Sequence, residues 1–265
     1  MKKIRFGLNV IKIIMMNQIQ DKTNLLLDMF QMFSRCFIIF LLYAYVFRLN
    51  GGLINEVDYS TTMWSMFIYF CIMILNIRRI DRLIMDDVKS GNIELFMNKP
   101  TSYLTLSFLK VVGQGLFSFL FISLLGTVIM LLFVGIPSVD LKIFVPTFIL
   151  SLVLGQILGL LIYGIIGLMA FFMQDNRPLH WIVDKLIMVL GGSYLPISMF
   201  PKVMKIMAYA SPFGAINFAS STVYDSWNTN CYKMIGMQII WILVFGFILF
   251  FVYKKSKEKA MINGG

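Results

Sequence analysis

The stretch that decides the fold is IFVPTFILSLVLGQILGLLIYGIIGLMAFFMQ, residues 143–174, which carries no charged side chain along its whole length. A helix needs about 20 consecutive apolar residues to cross a bilayer, so this run is long enough for one membrane span. Similar runs lie within 61–77 and 111–134, and a last one covers 234–253. The sequence therefore predicts an all-α, polytopic membrane protein.

The composition of the chain places it in the same class. Of its 265 residues, 59% are hydrophobic and 14% are charged, whereas soluble domains have about 45–50% apolar and about 25% charged residues. A soluble enzyme and a disordered chain are therefore both excluded. The net charge of +10 comes from lysines and arginines that lie between the apolar runs, which indicates membrane topology and no nucleic-acid partner. The three cysteines are widely spaced and predict neither a disulfide framework nor a metal site.

Two further apolar regions bring the predicted number of membrane spans to six. The first span lies at 29–47 and contains Arg35, which we interpret as a side chain that snorkels to the membrane surface. The fifth span, at 182–201, is irregular because two consecutive glycines and a proline interrupt it.

The stretch 206–224 is also uncharged and leaves a choice between six and seven spans. With six spans, both termini are cytoplasmic, and 18 of the 23 Lys and Arg side chains lie on that side. A seventh span would place the lysine-rich tail at 254–259 outside, against the positive charge expected of cytoplasmic segments. We therefore predict an outer re-entrant hairpin at 201–228, before the last span. The five side chains left on the outer side are Arg48, Lys142, Lys202, Lys205 and Lys233.

No constellation of catalytic residues can be recognised in the sequence. The single histidine, His180, lies in a predicted cytoplasmic turn near Asp175 and Asp184, where a plain polar role is the simplest interpretation. The phosphate-binding motif GxxxxGK[ST] is absent, because no glycine of the chain is followed by lysine. We expect no catalytic residue and no cofactor in this chain, so any ATP would be hydrolysed by another subunit.

Two segments outside the predicted spans are amphipathic. In the segment 1–25, apolar residues recur at helical spacing beside a basic face, which predicts an interfacial helix. The segment 78–105 follows the second span and is too charged to stay in lipid. Its first arginines are typical of anchors at the membrane surface, and Ser90-Gly91-Asn92 is expected to end its helix. We predict that this segment is cytoplasmic.

The stretch DDVKSGNIELFMNKPTSY, residues 86–103, resembles the cytoplasmic segment of ABC-2 type transporter permeases. In that family an acid-Val-x-x-Gly-x-(Ile/Leu) pattern leads into a short proline-containing loop and the third span. The stretch YLPISMFPKVMKIMAYASPFGAINF, residues 194–218, resembles the broken hairpin of the family, with breaks at Pro196, Pro201 and Pro212. The amphipathic N-terminal helix and the six spans extend the resemblance over most of the chain.

The resemblance implies that residues 1–265 form a single transmembrane permease domain, the membrane subunit of an ATP-binding cassette exporter. Residues near 78–100 would then hold a helix that docks on a separate ATPase subunit, which binds the ATP and Mg. The N-terminal helix would pack on the same ATPase surface, and a second permease chain, identical or related, would complete the transport unit. The core of this coupling segment would consist of Asp86, Asp87, Val88, Gly91, Glu94 and Pro100.

Export of an amphipathic, peptide, drug or lipid-like substrate is the function that the resemblance implies. The alternative is an ion-coupled carrier or channel that works without an ATPase. Such coupling usually needs acids inside the spans, and almost all acids of this chain lie in predicted loops or at span ends. We expect the chain in a plasma membrane, with the lipid bilayer as a direct partner. Its high Ile, Lys, Met and Phe usage indicates an AT-rich bacterium.

Overall fold

The computed structural model describes residues 2–263 apart from 21, 55–56, 93–101, 138 and 174. Short 3-10 helices lie at Met169–Phe171, Ile197–Met199 and Phe218–Val223, and the antiparallel strands β1 (Leu53–Ile54) and β2 (Val57–Asp58) form a small hairpin. The α-helices are α1 (Lys2–Gln20), α2 (Lys22–Leu49), α3 (Tyr59–Ile74), α4 (Arg79–Lys89), α5 (Tyr103–Phe133), α6 (Leu141–Leu168), α7 (Arg177–Leu190), α8 (Lys202–Ala210), α9 (Pro212–Ala215) and α10 (Asp225–Asn263).

Five helical segments of the described chain are long and apolar enough to cross a membrane. The prediction of an all-α polytopic membrane protein is therefore confirmed. The first of these segments begins earlier than the predicted 29–47, because α2 is already helical from Lys22 onward. The five segments are Leu25–Leu49, Tyr59–Lys89, Tyr103–Phe133, Leu141–Phe171 and Asp225–Lys259.

The region of the predicted fifth span, 182–201, is not one continuous helix. α7 ends at Leu190, and Gly191 and Gly192 follow it in a turn, with a φ of 87° at Gly192. The 14 residues of α7 extend for about 21 Å, which is less than the ~30 Å of a bilayer's hydrocarbon core. The sixth span stays a prediction.

Helix α6 lies at the centre of the packing. α10 packs along it, α4 lies against its end at Gly167, and the 3-10 helix Phe218–Val223 contacts its first half. α1 packs on α5, where Gly113 allows Ile14 to approach the α5 backbone closely. α3 is the most enclosed of the long helices, since every residue from 61 to 72 is buried.

The chain between α7 and α10 folds as short helical pieces, of which the 3-10 helix Phe218–Val223 is buried against α3 and α6. Ser65 Oγ of α3 donates a hydrogen bond of 2.7 Å to the carbonyl of Ser220. The side-chain amide of Gln238 donates to the carbonyls of Ser151 and Ala215, at 3.0 and 2.8 Å. Irregular backbone at membrane depth is stable only where protein or water satisfies its polar groups. In this segment, the neighbouring helices do so.

Each of the three prolines in this region begins a short helix. Pro196 precedes the 3-10 helix Ile197–Met199, Pro201 precedes α8, and Pro212 is the first residue of α9. Proline suits the start of a helix because its fixed φ is already helical and its missing N–H has no partner to lose there. The breaks are therefore points where the chain starts a new helix in a new direction.

Gly155 and Gly159 allow α6 to contact its neighbours closely. A Cβ atom at Gly155 would overlap the carbonyl oxygen of Ile216, and one at Gly159 would overlap the side chain of Ile77. Small residues at a spacing of four are typical of close helix packing in membranes. In this chain the pair serves packing against the buried segment and the end of α3.

Candidate coupling surface and ligand cavity

Helix α4 leaves the direction of α3 because the backbone turns at Asn76. Its φ of 49° lies in the left-handed region, which a continuous helix cannot accommodate. Within α4 the side chains of Ile80, Asp81 and Ile84 are buried. They face α6 at Gly167, where the absence of a side chain lets the two backbones approach. One face of α4 thus holds the helix on the membrane domain.

The opposite face of α4 is charged and open. Arg79, Arg82, Asp86 and Lys89 are exposed, and their spacing of three or four residues places them on one side of the helix. We call these four residues the charged stripe of α4. The buried residues that anchor the helix lie on the other face, so the charged stripe remains accessible to a partner protein.

Two ion pairs connect α4 with α7. The guanidinium of Arg78, directly before α4, lies 3.2 Å from Oδ1 of Asp184, which also accepts a hydrogen bond of 3.1 Å from the hydroxyl of Tyr163. One turn further along, Asp81 Oδ2 lies 2.7 Å from Nδ1 of His180, and this contact is an ion pair when the imidazole is protonated. The side chains of Asp81 and His180 are only 2% and 10% exposed. The two pairs fix α4 to α7 at two successive positions.

Sequence reasoning missed this role of His180. The residue was interpreted as plain and polar, and the structure places it against Asp81. A signal was present in the spacing: Arg78 and Asp81 lie three apart, His180 and Asp184 lie four apart, and the two sets have complementary charge. Nothing in a single sequence indicates which two helices meet, so the signal could not be read.

The acidic residues of the resemblance, Asp86 and Asp87, lie on different faces of α4. Asp86 belongs to the exposed charged stripe. Asp87 is turned toward α5, where its Oδ2 accepts a hydrogen bond of 2.7 Å from the hydroxyl of Tyr103. Val88 is half-buried and packs against the hydrophobic core. Asp86 is therefore the acidic residue best placed for a partner, and Asp87 supports the position of α4.

Gly91 follows α4 with a φ of 73°, a left-handed conformation in which glycine carries no steric penalty. A Cβ atom would meet nothing within 4 Å at this position, so its conformation and not its surroundings explains the glycine. The other two residues of the resemblance, Glu94 and Pro100, lie outside the described residues.

The loop between α6 and α7 carries a third ion pair, which is exposed. The Arg177 guanidinium lies 2.7 Å from Asp175 Oδ2. The hydrogen bonds from Arg177 lower the pKa of the Asp175 carboxyl to about 2. Because a lowered carboxyl pKa favours the ionised form, this pair stays charged at any physiological pH. The loop therefore presents a fixed pair of opposite charges at the start of α7.

A cavity of about 430 Å³ opens between α2, α3 and the turn after α7. Its polar lining consists of Arg35, Tyr69, Arg78, Ser193 and Tyr194, and none of the described acidic residues lines it. We call this space the arginine cavity. The remaining lining is apolar and is formed by Ile38, Ile39, Leu42, Phe70, Met73 and Met188.

A smaller space of about 30 Å³ lies on the other side of Arg78, toward α6. The side chains of Gln156 and Asn217 line it, and among the described residues neither amide has a hydrogen-bond partner. The volume and the polar lining suit an internal water molecule. No group of three or more potential metal ligands occurs in the described part of the chain.

Comparison with known protein families decides the classification. Residues 29–264 match the family model described as ABC-2 family transporter protein. The chain belongs to the ABC-2 transporter family. This match confirms the family resemblance of the stretches 86–103 and 194–218, and it extends over almost the whole chain. No curated protein matches the chain in a sequence search.

As an ABC-2 family member, the chain is a transporter permease with several membrane-spanning helices. Permeases of this family are membrane subunits that are generally not catalytic themselves. The charged stripe of α4 and the arginine cavity are consequently the candidate sites of contact with a partner protein and with a transported molecule. The assignment of individual coupling residues stays a prediction.

Proposed function

We propose that this chain is the membrane subunit of an ATP-binding cassette exporter that moves amphipathic molecules out of a bacterial cell. A separate ATPase subunit would bind and hydrolyse the ATP with Mg, and a second permease chain, identical or related, would complete the transporter. The chain would lie in the plasma membrane with both termini cytoplasmic. Membership of the ABC-2 family supports the transporter class. The observation that carries the coupling to an ATPase is the charged stripe of α4.

The charged stripe suits a protein partner better than it suits lipid or solvent alone. Its three cations and one acid are held on a helix whose other face is anchored by buried residues and by two ion pairs. A rigid helix can transmit force, whereas a solvated loop that only sets topology needs no such anchoring. Charged surfaces of this kind guide a partner into one orientation and exclude wrong partners.

The two ion pairs between α4 and α7 suggest how movement would reach the cavity. A push on the charged stripe would move α4, and Arg78 and Asp81 would carry Asp184 and His180 of α7 with them. Met188 at the end of α7 lines the arginine cavity, and so does Arg78 itself. ATP binding in the partner would thus shift the balance between two arrangements of the cavity walls.

Reversing charges on the stripe is expected to weaken binding of the ATPase. R82E and D86K each place a like charge where the partner is expected to offer an opposite one, and we expect at least about a tenfold loss of copurified ATPase, equivalent to ~1.4 kcal/mol. The measurement is affinity purification of the tagged chain in mild detergent from cells that express its natural partners. A stoichiometric ATPase with the unchanged chain is the expected reference.

The matched control is K202E, which reverses an equally exposed charge on α8. It should copurify the ATPase like the unchanged chain. Equal ATPase recovery with R82E, D86K and K202E would exclude the stripe as the docking surface. A chain that purifies without any ATPase would favour the alternative, an ion-coupled carrier or channel.

The proposed orientation can be tested with single cysteines in a variant whose three native cysteines are replaced by serine. Ser226 at the start of α10 and Lys255 near its end are both exposed. S226C should react with a membrane-impermeant maleimide on intact cells, and K255C should react only after the cells are opened. The reverse pattern would contradict the placement of both termini in the cytoplasm.

A further inference from the structure

The arginine cavity combines positive charge with an apolar wall. Arg35 on α2 and Arg78 after α3 supply two guanidinium groups; Asp184 pairs with Arg78 from outside the cavity, and no carboxylate of the described residues pairs with Arg35. Its volume of about 430 Å³ lies within the ~300–1,000 Å³ range of typical small-molecule sites.

Arg35 lies deep in the first membrane-spanning helix. It lies seven positions after Asp28, the last acidic residue before the apolar run of α2, which corresponds to about 10 Å along the helix axis. Its side chain is exposed, and among the described residues no carboxylate forms an ion pair with it. A guanidinium at this depth is costly unless an anion or water compensates it.

Arg78 is held in place from outside the cavity. Asp184 pairs with it at 3.2 Å but lines only the smaller space on the α6 side. One guanidinium carries five N–H donors, so the contact with Asp184 leaves donors free for a group in the cavity. The ion pair therefore fixes the orientation of Arg78 without consuming its capacity to bind an anion.

Tyr69 contributes a third donor to the same cavity. The residue is 1% exposed. Its hydroxyl has Ser193 as a polar neighbour but makes no hydrogen bond of good geometry with any described residue. A buried hydroxyl without a partner is costly and is rare in folded proteins. An acceptor atom in the cavity would satisfy it.

We propose that the arginine cavity binds an amphipathic anion, with a phosphate or carboxylate headgroup against Arg35, Arg78 and Tyr69 and a hydrocarbon chain along the apolar wall. Guanidinium groups bind such headgroups through paired, charge-assisted hydrogen bonds. The apolar part of the ligand would lie beside Ile38, Leu42 and Phe70. This proposal rests on the proposed function, because it names the class of molecule that the permease would carry.

The test is equilibrium binding of fluorescent phosphatidylglycerol to the purified full-length chain in detergent, with unlabelled lipids as competitors. Phosphatidylglycerol should compete at least about tenfold better than phosphatidylcholine, whose headgroup has no net charge. R35Q should weaken binding about tenfold or more, and Y69F a few-fold. Equal competition by the two lipids would overturn the proposal.

R48Q is the matched control for R35Q. Arg48 lies in the last turn of the same helix, is also exposed, and does not line the cavity. It should bind the lipid like the unchanged chain. Because Arg35 forms no ion pair with a described residue, R35Q should fold normally, and an unchanged elution volume in size-exclusion chromatography checks this. The proposal fails if R35Q and R48Q bind the lipid equally well. It also fails if the only effect of R35Q is that the permease chains dissociate from one another.

Further arms identify the source of the headgroup. Inorganic phosphate that competes at the same concentration as the lipid would indicate a site for small anions and would overturn the amphipathic assignment. ATP-dependent transfer of the lipid between leaflets of proteoliposomes that also contain the ATPase would identify it as cargo. Binding without transfer would identify a resident membrane lipid in the same site. Charge-selective binding by a chain without an ATPase would refute the proposed function but not the cavity.

Discussion

Replacing Gly155 by alanine is expected to destabilise the protein by about 1–3 kcal/mol, because the new Cβ atom would overlap the carbonyl oxygen of Ile216. This oxygen belongs to the backbone of the segment buried between α3 and α6, which cannot move aside as a flexible side chain can. At Gly159, one turn further along, a Cβ atom would meet only the end of the Ile77 side chain. G159A should therefore cost less than G155A.

The control for both variants is G246A in α10. A Cβ atom at Gly246 would meet nothing within 4 Å, so only the helix propensity changes, which favours alanine over glycine by up to about 1 kcal/mol. The measurement is thermal unfolding of the purified chains in one detergent. We expect the midpoint to fall by several degrees for G155A and to stay or rise for G246A. Equal midpoints for G155A and G246A would contradict the close packing of the buried segment on α6.

The membrane class and most of the long helices could be predicted from the sequence because of one physical constraint. A chain in hydrocarbon must satisfy its backbone hydrogen bonds internally, so a long uncharged run such as 143–174 is expected to be helical. An apolar run predicts where a span lies but not where its helix begins, so α2 starts at Lys22, ahead of the predicted span 29–47. Lys22 and Asp28 marked the edge of the apolar run but are compatible with a helix that continues out of it.

The irregular region after α7 could be predicted only in part. Glycines and prolines predict interruptions of the helix at Gly192, Pro196, Pro201 and Pro212. At each of these positions one element ends or a new short helix begins. What the pattern does not contain is the partner of each short piece. The contacts of Ser65 with Ser220, and of Gln238 with Ala215, join residues that lie far apart in the sequence.

The candidate sites could also be predicted in part, where a local sequence pattern defines them, and not where they depend on how the helices pack. The amphipathic pattern of α4 predicts a helix with one buried and one charged face, and Asp86 lies on the charged face. Neither the pairing of Asp81 with His180 nor the shared cavity of Arg35 and Arg78 follows from local patterns. Arg35 was interpreted as a snorkelling side chain, and the structure places it on the wall of a cavity. Such juxtapositions depend on how the helices pack.

The pair of Asp81 and His180 leads to the second large prediction, which concerns both stability and coupling. With the imidazole protonated, this contact is a buried ion pair, and breaking such a pair by removing one partner typically costs about 3–5 kcal/mol, because the other charge stays buried without compensation. Arg82 also interacts with the Asp81 carboxyl, but the Oδ1 atom of Asp81 has no hydrogen-bond partner among the described residues. D81L and H180L are each expected to destabilise the protein by about 3 kcal/mol.

The double variant D81L/H180L should be much less destabilised than the sum of the two single variants, because two apolar side chains of similar volume can pack where the charges were. The measurement is a double-mutant cycle by unfolding in detergent, in which we expect a coupling energy above about 1 kcal/mol. D175N is the matched control, because it breaks an exposed ion pair at the start of α7 and should change stability little.

The double variant also separates stability from mechanism. If the pair of Asp81 and His180 transmits movement from α4 to α7, the double variant should fold and bind the ATPase through the intact charged stripe, yet transport poorly. Additive effects of the single variants on stability would show that the two side chains do not stabilise each other. Full transport by the double variant would show that the two helices move together without this contact.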